Sequence, residues 1–122
     1  MHLDTNFLIG ASQLGSLVRA RVEQWLRAGE PLHISAVAWA EFLCGPLRPG
    51  EVAACFCLLQ TIHSVDTKVA TLAARLFTAT GRRSRSLPDC LIAATALIEA
   101  QPLATENMAD FLPFISHGLL LA

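Results

Sequence analysis

Short apolar runs alternate along the chain with longer segments whose apolar residues recur at helical spacing. The short runs predict strands at 3–4, 32–34, 61–65, 102–104 and 118–121. The longer segments predict helices at 5–9, 15–28, 36–44, 51–59, 67–80, 87–99 and 108–112. Short strands that alternate with helices favour a mainly parallel sheet flanked by helices, which is the α/β class. At 122 residues the chain has the size of one domain, and we expect a single domain over 1–122.

Two of the predicted helices are apolar on nearly every face. Segment 36–44 has Glu41 as its one charged residue, and segment 87–99 is almost wholly apolar after Asp89. Helices of this kind are typical of a protein interior, so we expect both to be buried. Ser35 and Asp66 stand where N-caps are expected, just before helices 36–44 and 67–80.

Composition narrows the class of protein. The chain is 53% hydrophobic and only 16% charged, which indicates extensive burial or a large surface for a partner. No uncharged run approaches the roughly 20 residues of a membrane span, and no basic flank precedes an apolar start. We therefore expect a cytoplasmic protein without a membrane partner.

The cysteines and histidines follow no recognisable metal-binding spacing. We interpret the cysteines as free, buried thiols in a reducing cytoplasm. The histidines are scattered along the chain, and we expect them to be structural or exposed. These residues are Cys44, Cys55, Cys57, Cys90, His2, His33, His63 and His117.

Acidic residues recur in positions where a carboxylate is costly. Asp4 ends the first strand, Glu41 interrupts an apolar helix without a basic neighbour, and Asp89 opens another apolar helix. Asn107, with Asp110 nearby, follows a later strand. Residues that follow parallel strands meet at one edge of the sheet, which is where α/β proteins build sites. The simpler alternatives are that Asp4 only caps the next helix and that Glu41 is an ordinary surface residue.

Clustered carboxylates repel one another unless a cation is present, and hard cations such as Mg²⁺ prefer oxygen ligands. Mg²⁺ or Mn²⁺ can activate water and stabilise charge on a phosphate. The chain contains no GxxxxGK[ST] loop, no GxGxxG after a strand and no GxSxG elbow. A metal-assisted phosphodiesterase is therefore the economical interpretation.

Four motifs in order carry a resemblance to a known family over essentially the whole chain. The chain resembles PIN-domain ribonucleases, and most closely the VapC-type toxins of bacterial toxin–antitoxin pairs. The motifs are Leu3-Asp4-Thr5-Asn6, Ser35-Ala36-Val37 through Ala40-Glu41-Phe42, Leu87-Pro88-Asp89 through Ile92-Ala93-Ala94-Thr95-Ala96, and Ala104-Thr105-Glu106-Asn107 through Asp110-Phe111.

The resemblance implies a role for each matching residue. Asp4, Glu41 and Asp89 match the family's metal-binding acids. Many members have an aspartate where this chain has Asn107, so either Asn107 or Asp110 fills the fourth catalytic position, and a second metal ion is in doubt. The resemblance also implies that three polar side chains position ligands or water. These are Thr5, Asn6 and Thr105.

The resemblance further implies a three-layer α/β/α PIN-like fold, cleavage of RNA with Mg²⁺ or Mn²⁺, a homodimer and an antitoxin that blocks the site. Just before Asp89, the basic loop residues Arg82, Arg83 and Arg85 suit contacts with RNA phosphates, although an ordinary solvated loop is the alternative.

Two other functions stay open. Asn107 is compatible with a catalytically impaired member that only binds RNA or protein. The Asp4-Thr5-Asn6 start also has a distant likeness to the nucleophile loop of haloacid-dehalogenase-like phosphatases, but Asn6 replaces the second aspartate of such loops.

Overall fold

The computed structural model describes residues 1–122, with seven α-helices and four short strands. The strands are β1 (His2–Leu3), β2 (His33–Ser35), β3 (Thr61–His63) and β4 (Leu103–Ala104). The helices are α1 (Thr5–Ser12), α2 (Leu17–Arg27), α3 (Ala36–Cys44), α4 (Glu51–Leu58), α5 (Thr67–Ala79), α6 (Leu87–Ile98) and α7 (Met108–Phe111).

The sheet is parallel throughout, with strand order β3-β2-β1-β4. The first strand of the chain is therefore internal, hydrogen-bonded to β2 on one side and to β4 on the other. Leu3 aligns with Ile34 and with Ala104, so the residues that follow these strands emerge at the same edge. The three-layer α/β/α prediction with a mainly parallel sheet is confirmed.

A single core of 24 buried hydrophobic residues joins the sheet to the helices. Its largest members are four fully buried phenylalanines, each of which contributes roughly 1.5–3 kcal/mol by burial. α5 packs along α6, while α1 packs against α2 and α3. The buried phenylalanines are Phe7, Phe42, Phe111 and Phe114.

The predicted helix caps are confirmed. The Ala38 amide donates to Ser35 Oγ at 3.1 Å, and the Val69 amide donates to Asp66 Oδ1 at 2.9 Å. These bonds satisfy amides that the first turn of a helix leaves without partners. The cap of α3 is relevant to the site, because it fixes the direction in which α3 leaves the sheet edge.

The two apolar helices differ in burial. α6 is buried from Ile92 to Ala96, as predicted, but α3 buries only Ala38 and Phe42, so the prediction that α3 is a core helix is wrong. Glu41 lies on the exposed side of α3. Apolar composition predicts a covered surface, and the sequence does not say whether this chain or a partner covers it.

The predicted strand at 118–121 is also wrong. Leu112–His117 forms a 3₁₀ segment, and beyond it only Leu121 makes a bridge, to Leu103 of β4. Gly118 ends the 3₁₀ segment with φ +99°, a left-handed conformation that glycine adopts without steric cost. None of the helices is both long enough and apolar enough to cross a bilayer.

The histidines are not scattered in space. His2, His33 and His63, here called the histidine cluster, have ring centroids 5.9 Å apart for His2 and His63 and 5.2 Å apart for His33 and His63. His117 is exposed elsewhere. All four cysteines are free, but only two are buried as predicted. Cys55 and Cys90 are buried, while Cys44 and Cys57 are exposed.

Candidate active site

Asp4 lies where β1 ends and α1 begins. Its carboxylate caps α1, because Oδ1 accepts a hydrogen bond of 2.7 Å from the Thr5 amide. Oδ2 accepts a bond of 2.8 Å from Thr105 Oγ1, which follows β4. Only 4% of Asp4 is exposed, and burial raises its pKa, while the bonds from Thr105 and Thr5 oppose the rise. Asp4 therefore caps a helix and also reaches the shared edge of β1 and β4.

Glu41 approaches the same edge from α3. Thr5 Oγ1 donates to Glu41 Oε1 at 3.0 Å, so one residue at the start of α1 contacts the acids of two elements. The charge of Glu41 also contributes to the raised pKa of Asp4. Glu41 is a solvent-facing member of the group rather than a core residue.

Asp89 is in the first turn of α6, directly after Pro88 at a position where proline favours helix initiation. Burial raises the pKa of Asp89 to about 6, with further increases from the charges of Asp110, Asp4 and Glu41, and a decrease from Arg83. The charges of Glu41 and Asp110 therefore act on both Asp4 and Asp89. We call Asp4, Glu41, Asp89 and Asp110 the acid cluster.

Asp110, rather than Asn107, brings the fourth acid to this cluster. The backbone amide of Asn107 donates to Thr105 Oγ1 at 2.9 Å. The side chain of Asn107 is exposed and makes no capping bond to α7. Asp110 lies in the first turn of α7, and its charge raises the pKa of both Asp4 and Asp89. The structure thus places both candidates for the fourth position close together and gives the charge to Asp110.

The remaining residues singled out in the sequence have distinct surroundings. Asn6 is exposed and hydrogen-bonds to no other side chain. Arg82 and Arg85 are exposed, with left-handed backbone at φ 53° and 65°. Arg83 is half-buried, lies 5.9 Å from the Phe114 ring centroid, and has Nε and Nη2 buried without partners.

The donor set fits a hard divalent cation. Four carboxylates supply only oxygen. Burial and then the charges of the other three acids raise the pKa of Asp89, and a bound cation would offset both effects. In the structure, no three of these side chains come together closely enough to hold a metal ion by themselves, so water and substrate oxygens would have to complete the coordination. This arrangement suits Mg²⁺, which keeps several waters and uses one or two carboxylates.

Three features of the site were missed by sequence reasoning. The Thr5–Glu41 bond joins residues 36 positions apart, and Arg83 acts on Asp89 through space. The structure also shows a shallow groove beside Glu41, lined by apolar side chains of which Val37 and Cys44 belong to α3. The groove could have been suspected from the apolar composition of α3, whereas the other two features depend on three-dimensional packing.

The fold and the acid cluster define a three-layer α/β domain with an acidic site at the carboxyl edge of its sheet. The chain belongs to the PIN domain family, whose model matches residues 1–109. Among curated protein sequences, none matches the chain as a relative.

Several solved structures are similar to this chain. A chain of a toxin–antitoxin complex from Klebsiella pneumoniae is 26% identical, with a TM-score of 0.65 over 91% of this chain and 89% of that one. FitAcB from Neisseria gonorrhoeae is 22% identical, with a TM-score of 0.73 over 99% and 96%. VapBC2 from Rickettsia felis, bound to a promoter DNA fragment, is 20% identical, with a TM-score of 0.74 over 99% and 96%. The likeness at 20–22% identity supports the fold.

Proposed function

We propose that this chain is a Mg²⁺- or Mn²⁺-dependent endoribonuclease, acting as the toxin of a VapBC-like type II toxin–antitoxin pair. The observation that carries the proposal is the acid cluster, in which the charges of Glu41 and Asp110 raise the pKa of both Asp4 and Asp89 at one edge of the sheet. Membership of the PIN domain family supports the nuclease class. Similarity to a chain of a toxin–antitoxin complex supports the toxin role.

The residues of the site have two proposed roles: some would hold a metal ion, and others position the carboxylates that do so. Asp4, Glu41 and Asp89 would hold the ion, which when bound activates water and stabilises the charge that develops on the phosphate. Thr105 fixes the Asp4 carboxylate and Thr5 fixes that of Glu41, each by a hydroxyl hydrogen bond. Such bonds preset the carboxylate directions before substrate arrives.

Asp110 and Asn107 occupy the β4 side of the site. Asp110 adds the fourth negative charge, and the exposed Asn107 amide offers a neutral oxygen and two donors that can orient water or a substrate phosphate. Asn6, exposed at the start of α1, has a free side chain for the same purpose.

The loop before α6 supplies positive charge beside the acids. Arg82 and Arg85 are exposed and available for RNA phosphates, which would otherwise be repelled by the carboxylates. Arg83 is positioned differently, since its charge lowers the pKa of Asp89. We infer that Arg83 contacts an RNA phosphate and also favours the ionised form of Asp89.

An antitoxin and a second copy of the chain are the protein partners that we propose. Exposed leucines lie around the turn between α1 and α2, where Leu14 is 81% and Leu17 is 86% exposed. The apolar groove beside Glu41 lies next to the acids. Apolar surface of this kind favours protein partners, and one that covers Glu41 would block the site.

The test is to incubate the full chain, freed of any antitoxin, with mixed RNAs in Mg²⁺, in Mn²⁺ and in EDTA, beside Asp89→Asn. We expect cleavage only with metal, and a loss of at least about 100-fold in the variant, because a neutral amide replaces a metal-binding carboxylate. His117→Gln, an exposed substitution elsewhere, is the matched control.

Cleavage that persists in EDTA, or at full rate in Asp89→Asn, would contradict the nuclease proposal. Tight RNA binding without cleavage in either metal, by folded protein, would transfer the assignment to a non-catalytic binding module. The toxin role has its own test, because expression should arrest growth and Glu41→Gln should relieve the arrest.

A further inference from the structure

Four basic side chains have no partner within the chain, and all four lie between residues 68 and 85. Each is exposed, and none makes an ion pair, a hydrogen bond or a contact with an aromatic ring. They are Lys68, Arg75, Arg82 and Arg85. The free cations of the surface are therefore gathered in one segment of the chain.

The other five of the nine basic side chains are occupied. Three are in salt bridges with glutamates, and two lie over aromatic rings. The paired residues are Arg19, Arg27 and Arg48, and the stacked ones are Arg21 and Arg83. These five positions have little positive charge to spare for a partner, in contrast to the segment from 68 to 85.

Lys68 and Arg75 lie on the solvent face of α5. Residues seven positions apart in an α-helix point within roughly 20° of each other, and the buried residues of α5 are on its other side. Shallow grooves run along this face, one lined by Lys68 and Arg75 and the other by Arg75 and Thr78. Thr78 is exposed, and its hydroxyl is free to donate a hydrogen bond.

The same face leads to the acid cluster. α5 ends at Ala79, the loop with Arg82 and Arg85 follows, and α6 then packs along α5 with Asp89 in its first turn. The last turn of α5 is therefore at the same end of the molecule as Asp89, while Lys68 is at the far end of a helix about 20 Å long. Segment 67–88 contains no acidic residue, so it adds only positive charge to this path.

The spacing of the cations favours a polymer with repeated negative charges. Lys68 and Arg75 are about 10 Å apart along the helix axis, which is too far for one phosphate group to bridge. The phosphates of RNA accept hydrogen bonds and carry charge at regular intervals, so they need cations and donors such as these. An RNA strand that approaches the carboxylates is repelled there, and attraction from α5 would offset that repulsion.

We propose that Lys68, Arg75, Arg82 and Arg85, here called the basic track, bind the phosphates of an RNA strand beyond the bond that is cut. The proposal rests on the proposed nuclease function, and it adds that the substrate is an RNA with several nucleotides on one side of the cut. Phosphate contacts position a strand without reading its sequence, so the track selects for length and not for base identity.

The experiment compares two double variants of equal net charge. Lys68→Gln/Arg75→Gln removes the α5 part of the track, and Arg19→Gln/Arg27→Gln removes two basic residues of α2 as the matched control. All four residues are on the surface, so both proteins should fold. Fluorescence anisotropy measures the binding of RNAs of about 6 and about 20 nucleotides, with Asp89→Asn added to each protein so that the RNA stays intact.

We expect the α5 variant to bind the longer RNA about 10-fold more weakly at 0.1 M salt, because two phosphate contacts are lost. The slope of log affinity against log salt concentration should become shallower by roughly 1.4. Binding of the shorter RNA, and all binding by the α2 variant, should change by less than about twofold. With Asp89 intact, kcat/KM for the longer RNA should fall about 10-fold in the α5 variant while kcat is unchanged.

Equal affinity of the wild type and the α5 variant for the longer RNA would overturn the proposal, and so would equal weakening by the α5 and α2 variants. Poly-glutamate bound more tightly than RNA, and lost in the α5 variant, would assign the track to an acidic protein instead. Binding is measured without cleavage, so failure of the nuclease proposal is seen separately. Weaker RNA binding by the α5 variant, in a protein that cuts no RNA, would support the track and contradict only the nuclease.

Discussion

The acid cluster and the histidine cluster are built on the same four-stranded sheet but are supported in opposite ways. Around the acids, Asp4 accepts bonds from the Thr5 amide and from Thr105, and Glu41 accepts one from Thr5. Among the histidines, His2 is fully buried, and its ring makes no hydrogen bond of good geometry, with Gln101 as its one side-chain partner. Burial raises the pKa of Asp4 and lowers that of His2 to about 3.

Both shifts have the same physical origin, because removal from water disfavours the charged form of either group. The two clusters differ in how the cost of burial is offset. Thr5 and Thr105 keep the acids directed at a common edge despite their repulsion, whereas His2 and His33 avoid the cost by staying neutral. The sheet therefore carries one region of carboxylates held close together and another region of imidazole rings that burial keeps neutral.

Among substitutions that leave the carboxylates in place, the largest expected effect comes from removing a hydroxyl that supports the acids. Thr105→Val keeps the shape of the side chain but removes the hydrogen bond to Asp4 Oδ2, together with the one that Thr105 Oγ1 accepts from the Asn107 backbone amide. We expect RNA cleavage to fall about 10- to 100-fold, with weaker Mg²⁺ affinity and an upward shift of the pH at which activity appears. Kinetics against pH and Mg²⁺ concentration measure both.

Thr95→Val is the matched control, because Thr95 is equally buried but bonds only to the Leu91 carbonyl within α6. Equal losses in the two variants would mean that the Thr105 hydroxyl has no particular role at Asp4.

Stability against pH separates the two clusters, because their contributions have opposite signs. The pKa of Asp89 is raised from 3.8 to about 6, so folded protein binds the proton more tightly and this contribution falls as pH rises through that window. The pKa of His2 is lowered from 6.5 to about 3, so its contribution is lost as pH falls through that window.

Urea unfolding of metal-free protein between pH 4 and 6.5 measures the balance. We expect Asp89→Asn to be more stable than the wild type at pH 6.5 and to gain stability more steeply as pH rises, because the opposing contribution of Asp89 is removed. Mg²⁺ should stabilise the wild type at pH 6.5 more than the variant. Parallel curves for the two proteins would rule out a raised pKa at Asp89.

A smaller effect tests whether a cation of the chain itself tunes the acids. Arg83 lowers the pKa of Asp89, so Arg83→Gln should move the acid limb of the cleavage profile to higher pH, with about two- to threefold less activity at pH 6. Arg82→Gln, an exposed change in the same loop, should weaken RNA binding without moving that limb. An identical limb in both variants would exclude this role for Arg83.

The smallest effect concerns the departure from the family pattern. Asn107→Asp adds a charge at an exposed position, where screening limits its influence. Because Asp110 already supplies a fourth carboxylate, we expect cleavage to change by less than about threefold. A gain of tenfold or more would show that Asp110 does not fill that position, and single-turnover kinetics with a fixed RNA provide the measurement.

Local patterns predicted those parts of the fold that depend on neighbouring residues. Ser35 and Asp66 could be identified as caps because a cap acts on amides three positions away. Segment 118–121 was predicted as a strand from its apolar run, but only Leu121 pairs, since β4 is two residues long and offers little to pair with. Strand formation depends on a partner that the local pattern does not contain.

The acids of the site could be named from the sequence because each stands in an unfavourable place. Which of Asn107 and Asp110 brings the fourth charge depends on how α7 turns, which the sequence pattern left open. The histidine cluster was overlooked because His33 and His63 meet only through strand register. Register depends on the whole sheet, so spacing along the chain carries no sign of it.

The order of the strands has a consequence for the timing of synthesis. β1 is made first, but its partner β4 and the acid Asp110 lie more than a hundred positions later. The acid cluster of a growing chain cannot assemble until Asp110 has left the ribosome, which adds about 5–20 residues per second. The proposed nuclease site is therefore incomplete while the earlier residues are translated, and this order of synthesis would keep the messenger RNA safe from the nascent chain.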